Sequence, residues 1–138
     1  AVSRAMLRAR SGRIVNITSI AVKLPQGELG LSNGARAGLT GFVAGIAHEP
    51  AKHNVTINNL LPGFIATERL KSLFAQRAEA AGEDPDTFFE AFFAETPPGR
   101  PGDPDEFGAA CAFLCSQQAA YFTAQNILMD GGVYPGTF

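Results

Sequence analysis

Gly12-Arg-Ile-Val-Asn-Ile-Thr-Ser19 decides the fold. It is a short β-branched run set between a helix stop and a loop. Its near-continuous apolar character is that of a parallel strand covered on both faces, not of an alternating half-solvated one. Residues 20–30 hold two glycines and a proline and read as a loop. From Ser32 to His53 the apolar positions Leu39, Phe42, Val43, Ile46 and Ala47 recur at helical spacing and predict one buried face of a long helix. Pro50 should shorten its last turn, and Asn54 can close it in the left-handed cap conformation. Val55-Thr-Ile-Asn-Asn-Leu-Leu61 is then a second strand, stopped by Pro62-Gly63. Strand, helix and strand in this order predict a βαβ unit, with parallel strands and a right-handed crossover.

Outward from this unit the signals stay consistent. Ala1–Arg10 reads as the last turns of an amphipathic helix, with Val2, Met6, Leu7 and Ala9 opposite Arg4, Arg8 and Arg10, and with Gly12 as its stop. Helices are expected over Glu68–Ala80 and over Asp86–Ala94, the latter after Asp84-Pro85 with a Thr87…Glu90 capping box. Phe88, Phe89, Phe92 and Phe93 form an aromatic stripe on it, suited to packing or to a lid. Asp103-Pro104-Asp105-Glu106 opens a further helix whose buried face is Phe107, Ala110, Cys111, Leu114 and Cys115. Gln125–Asp130 is a third strand, closed by Gly131-Gly132. The expected class is α/β: a Rossmann-type parallel sheet with helices on both faces, read as one partial domain over residues 1–138.

Composition narrows the function classes. Of 138 residues, 46% are hydrophobic and 17% charged, which excludes intrinsic disorder. A formal charge of −2 leaves no basic footprint for nucleic acid. No apolar run approaches the ~18 residues of a membrane span, and residues 1–10 lack the apolar core of a signal peptide. Two cysteines make no disulfide scaffold, and Cys111 and Cys115 read as reduced core residues. His48 and His53 suit a helix C-terminus, and no cluster at ligand spacing predicts a metal. The acids from Glu79 to Glu95 read as a solvated face. A cytoplasmic chain is expected.

Four blocks carry a resemblance: Gly12–Ser19, Asn58-Asn-Leu-Leu-Pro-Gly-Phe-Ile-Ala-Thr67, Arg100-Pro-Gly-Asp-Pro-Asp-Glu106 and Ala119–Gly132. In this order and spacing the chain resembles the C-terminal half of a short-chain dehydrogenase/reductase, most closely the 3-oxoacyl-carrier-protein reductases. The resemblance implies the last three strands of a doubly wound fold, NAD or NADP as cofactor, and a small-molecule carbonyl or alcohol substrate. It places Ser19 where the family's catalytic serine hydrogen-bonds the substrate oxygen. Pro62, Gly63, Ile65 and Thr67 match the loop that meets the nicotinamide, through backbone around Ile65 and the hydroxyl of Thr67. Residues 64–99 match the segment that covers the substrate.

The departure lies thirteen residues after Ser19. There the family carries Tyr-x-x-x-Lys, the proton donor and the cation that lowers its pKa, and this chain carries Ser32 and Arg36. An aliphatic hydroxyl is a far weaker acid than a phenol, and an arginine that stays protonated cannot relay a proton. Two readings of the pair follow: a retained contact to cofactor or substrate, or Ser32 as an N-cap with Arg36 on a solvated face. The family's Gly-rich pyrophosphate turn and cofactor-selecting residue match nothing in the chain, so the cofactor site is expected to be incomplete here.

The expected activity is therefore that of an atypical NAD(P)-dependent oxidoreductase in an intact parent, the chain carrying the nicotinamide and substrate side. A non-catalytic binding or scaffold subunit is the alternative. A serine hydrolase is weaker, lacking a strained G-x-S-x-G turn and a histidine after the third strand. An apolar strand edge predicts a fragment that pairs with a missing N-terminal half or with a second copy. The small residues Ala35, Gly38 and Gly45 and the tail Gly132–Phe138 point to a homo-oligomer through the long helix or the C-terminal strand.

Overall fold

The structure is a computed structural model that describes the backbone of residues 2–137 and the side chains of residues 4–137. Ala1, the Val2 side chain and Phe138, which the sequence reading assigns to a helix and an apolar tail, lie outside the described residues. Helix α1 (Val2–Ala9) leads into β1 (Gly12–Ile17), α2 (Gly30–Ile46), α3 (His48–Ala51) and β2 (Val55–Pro62). Then come α4 (Glu68–Ala81), α5 (Pro85–Ala94), α6 (Pro104–Cys115) and β3 (Asn126–Met129). The three strands form one parallel sheet in the order β1-β2-β3.

Alternation along β2 explains the two covered faces. Ile57 packs with Val43 and Ala47 of α2, and Leu60 packs with Leu114 of α6 and Ala119. Helices thus lie on opposite faces of the sheet, as expected. Val55–Leu61 are all buried, so β2 is the central strand, whereas β1 is half-buried and among the described residues pairs with β2 alone. Fully burying a side chain such as Val43 or Leu60 stabilises the fold by roughly 1.5–3 kcal/mol.

One polar feature crosses the sheet. Asn16, Asn59 and Asn126 are register partners on successive strands. The Asn16 side-chain amide donates to Asn59 Oδ1 at 3.1 Å, and the Asn59 amide donates to Asn126 Oδ1 at 2.8 Å. Asn59 is 1% exposed, and this ladder is what lets a polar side chain sit there.

Several local expectations are corrected. The stop of α1 is Arg10, left-handed at φ 51°, while Gly12 opens β1 where a Cβ would lie 2.7 Å from Met6 Sδ. The loop at 20–30 contains two 3-10 turns, Ile20–Val22 and Gly27–Leu29. The long helix starts at Gly30, two residues early, and breaks at Ala47 before α3; Asn54 is left-handed at φ 56°, as read. Only Val43 and Ala47 of its apolar stripe are buried, and Leu39, Phe42 and Ile46 remain 39%, 62% and 41% exposed. There is no Thr87…Glu90 box: Asp84 caps α5 by accepting from the Thr87 backbone N–H at 2.9 Å. The capping box of α6 is formed by Asp103 and Glu106, but Cys115 on that helix is exposed. Cys111 is half-buried, and burial followed by the neighbouring Cys115 pushes its thiol up, away from the reactive thiolate.

Candidate active site

The C-terminal ends of β1 and β2 open into a cleft of about 320 Å³. Each wall has a local cause. Ser19 leaves β1 in extended geometry and caps the 3-10 turn that follows, its Oγ accepting the Ala21 N–H at 3.1 Å. That bond occupies a lone pair and leaves the hydroxyl proton free to donate. Thr18 beside it is buried, and its Oγ1 has no hydrogen-bond partner. The loop back to α2 is held by Asn33, whose side-chain amide donates to the Gln26 carbonyl at 2.7 Å.

Ser32 is not an N-cap. The residue at the cap of α2 is Leu29, without a side-chain bond, and Ser32 lies within the first turn facing the cleft. Arg36, one turn later, is not on a solvated face either. Its Nε donates to Ser32 Oγ at 3.1 Å and its Nη1 donates to the Thr18 carbonyl, so the guanidinium bridges the helix and the strand end. Ser32 and Arg36 are therefore hydrogen-bonded to each other inside the cleft.

The third wall leaves β2 at Pro62-Gly63. A Cβ on Gly63 would lie 2.6 Å from Asp130 Cβ, so glycine is required for β2 and β3 to exit side by side. Phe64 and Ala66 hydrogen-bond Gly102 through their backbones, which leaves the Ile65 backbone N–H and carbonyl without a backbone partner among the described residues. Thr67 caps α4, its Oγ accepting the Leu70 N–H at 3.3 Å. Behind α4, Phe74 packs against Phe64, Phe88, Phe89, Phe92 and Phe93, with ring centroids 4.8 Å apart for Phe74 and Phe92. The aromatic stripe is packing that holds the wall, with Leu70 as its contact to the cleft.

Ser19, Ser32, Arg36, Pro62, Gly63, Ile65 and Thr67 all line this one cleft. Sequence reasoning missed Thr18, Asn33, Arg69 and Arg77; the two arginines carry a readable signal, flanking Leu70 and Leu73 on one helical face. Neither histidine lines the cleft: His48 opens α3 and His53 follows it, beyond the far end of α2, and among the described residues no histidine or carboxylate lines the cleft beside Ser19 and Ser32. Among the described residues, no group of three or more His, Cys, Asp or Glu is placed to hold a metal, and no helix is long and apolar enough to cross a membrane.

The family model described as enoyl-(acyl carrier protein) reductase matches residues 1–134. The chain belongs to the short-chain dehydrogenase/reductase family. Within that family it is 38% identical over 136 residues to the 3-oxoacyl-(acyl-carrier-protein) reductase FabG of Vibrio cholerae, covering 97% of this chain and 50% of the relative. The FabG of Escherichia coli is 37% identical over 135 residues, with the same coverage. The chain thus spans about half the length of the curated relatives it matches. Among solved structures, YwfH, described as an NADPH-dependent reductase involved in bacilysin biosynthesis, superposes with a TM-score of 0.86 at 33% identity. That match covers 98% of this chain and 52% of YwfH. An actinorhodin polyketide ketoreductase with NADPH gives a TM-score of 0.88 at 28% identity, covering 96% of this chain and 51% of its own. The short-chain reductase fold and a Rossmann-type parallel sheet follow, and the cleft lies where the open sheets of such folds bind ligands.

Proposed function

We propose that this chain supplies the nicotinamide and substrate side of an atypical NAD(P)-dependent short-chain oxidoreductase that interconverts a carbonyl and an alcohol. The observation that carries the reading is the convergence of Ser19, Ser32, Arg36, Ile65 and Thr67 on one cleft at the strand ends. Carbonyl reduction is preferred over the enoyl chemistry in the family model's description, because the curated relatives are 3-oxoacyl reductases.

The residues present fit a nicotinamide. The unpaired Ile65 backbone N–H and carbonyl match the acceptor and donor of a carboxamide, and the Thr67 hydroxyl has its proton free. Reduced nicotinamide, when bound, supplies the hydride. Ser19 donates its hydroxyl proton as a hydrogen bond to the substrate oxygen and polarises the carbonyl. Arg36 holds Ser32 and offers its remaining N–H groups to a ribose or substrate oxygen. Among the described residues the cleft is lined by Arg36, Arg69 and Arg77 but by no carboxylic acid, phenol, thiol or imidazole, so the alcohol oxygen takes its proton from water or from the substrate.

That same lack of an acid in the lining favours the second reading, a binding or scaffold subunit that keeps the cleft and has lost the chemistry. The surroundings we propose are a homo-oligomer in the cytoplasm, joined through the exposed Leu39, Phe42 and Ile46 of α2, or pairing of β1 with an N-terminal half. Titration with reduced nicotinamide mononucleotide, followed by amide NMR, tests the cofactor side. The Ile65 amide should shift; no shift at Ile65 with saturating nucleotide overturns the reading. Ketone reduction with NADPH then separates enzyme from scaffold.

A further inference from the structure

The cleft has a second pole that the reaction above does not use. Arg69 and Arg77 both line it from α4, eight residues and about 12 Å apart along the helix axis, with Leu70 and Leu73 between them. Among the described residues no carboxylate lines the cleft, in a chain whose formal charge is −2. Arg69 makes no ion pair among the described residues. Arg77 is approached only by Glu28, at 3.7 Å, and that carboxylate is 83% exposed. Its guanidinium is braced instead by the Phe74 ring, 5.8 Å from the centroid.

The arrangement is directional. Ser19 and Arg36 stand at the strand ends, Leu70 and Leu73 present apolar surface, and Arg77 stands at the far mouth opposite the Gly27–Leu29 turn that carries Glu28. We infer that the substrate carries a carboxylate at the end of an apolar chain that leads from its carbonyl. Arg77 receives that group, the apolar chain lies along Leu70 and Leu73, and Arg69 lines the nearer part of the path. The inference rests on the reading that the carbonyl meets Ser19. Arginine suits the task because its planar fork matches both carboxylate and phosphate oxygens. Glu28 acts as a weak placeholder that a better anion displaces, since an exposed pair at this separation holds little energy.

Three probes distinguish the sources of the anion: 7-oxooctanoate, the neutral 2-octanone of equal chain length, and inorganic pyrophosphate as a stand-in for cofactor phosphates. Binding is followed on the arginine Nε–H signals. The carboxylate should bind roughly tenfold more tightly than the ketone, as expected for charge-assisted bonds at a part-exposed site. It should shift the Arg77 signal, and Arg77→Gln should bring the two affinities together. Arg77→Lys should keep part of the preference. Equal binding of the two organic probes, or no binding of either, overturns the inference. So does pyrophosphate displacing 7-oxooctanoate from Arg77, which assigns that arginine to the cofactor. A carboxylate preference without NADPH-dependent turnover supports this site and overturns the reductase reading alone.

Discussion

Arg36 donates from Nη1 to the carbonyl oxygen of Thr18, eighteen residues earlier, and so ties the second turn of α2 to the end of β1. Thr18 is buried, so removing the donor strands a carbonyl away from water. Arg36→Ala should lower stability by about 1–3 kcal/mol in urea denaturation. Arg36→Lys should recover only part, because a single ammonium lacks the fork that reaches both Thr18 and Ser32. A loss below about 0.5 kcal/mol, the range of an inert surface change, would show that the bridge contributes nothing.

Ser32→Tyr with Arg36→Lys installs the Tyr-x-x-x-Lys pair that the family resemblance expects at these positions. If the protein reduces ketones, the pair should raise turnover by about 10²–10⁴-fold, the usual worth of general acid catalysis. Steady-state assays with NADPH check it. A wild-type rate that falls in the double variant identifies another group as the acid.

Gly63→Ala should destabilise the fold by roughly 1–3 kcal/mol, the cost of overpacking. The new Cβ meets Asp130 Cβ at 2.6 Å and Asp130 Cα at 2.8 Å, so two strand exits must part. Gly102→Ala is the control: its Cβ meets the Ile65 Cδ1 tip at 2.9 Å, which can swing aside at smaller cost. Thermal melts of the two variants should rank in that order.

The side-chain bonds from Arg100 first, and then the Asp103 backbone N–H, hold the Glu106 carboxyl down from 4.5 to about 2. A group depressed in the folded state contributes stability that is present above its unfolded pKa and lost as the pH falls toward the folded one. Glu106 should therefore add an acid-side slope between about pH 4.5 and pH 2. Glu106→Gln should flatten that part of the curve of stability against pH and leave the neutral-side slope as it was.

Phe42 is the most exposed of the three stripe residues left uncovered on α2. Phe42→Glu should dissolve a homo-oligomer formed through this helix, and sedimentation velocity should then show a lighter species with an unchanged far-ultraviolet spectrum. A wild-type protein that sediments as a monomer at high concentration contradicts the interface.

Much of this was legible in the residues. Asp103-Pro104-Asp105-Glu106 and Asn54 announce a helix start and a helix stop because capping is local chemistry, settled within four residues. The strand exits at Ser19 and Pro62-Gly63 were equally plain, since a β-branched run ends abruptly at each. Burial is not local. Leu39 and Val43 have the same apolar character and lie one turn apart, yet the sheet reaches only Val43. Cys115 reads as core by spacing and sits exposed at the last residue of its helix. Of the two readings of Ser32, the N-cap fails because the chain turns helical at Gly30, before serine can serve. Arg69 and Arg77 flank Leu70 and Leu73 in the sequence, but which wall that helical face meets depends on the distant β1–α2 loop.

The asparagine ladder has a consequence for how the sheet aligns. An alternating apolar pattern distinguishes the two faces of a strand, yet it is indifferent to a slip of two residues, which returns every side chain to its own side. Asn16 and Asn59 are not indifferent. Two residues out, Asn16 faces Ile57 or Leu61 in place of Asn59, and the buried Asn59 amide loses its partner at roughly 1–3 kcal/mol. Asn59 needs both neighbours at once, as acceptor for one strand and donor to the other. The three amides therefore work as an alignment key: leucine and isoleucine choose which way the strands face, and asparagine chooses where along their length they meet.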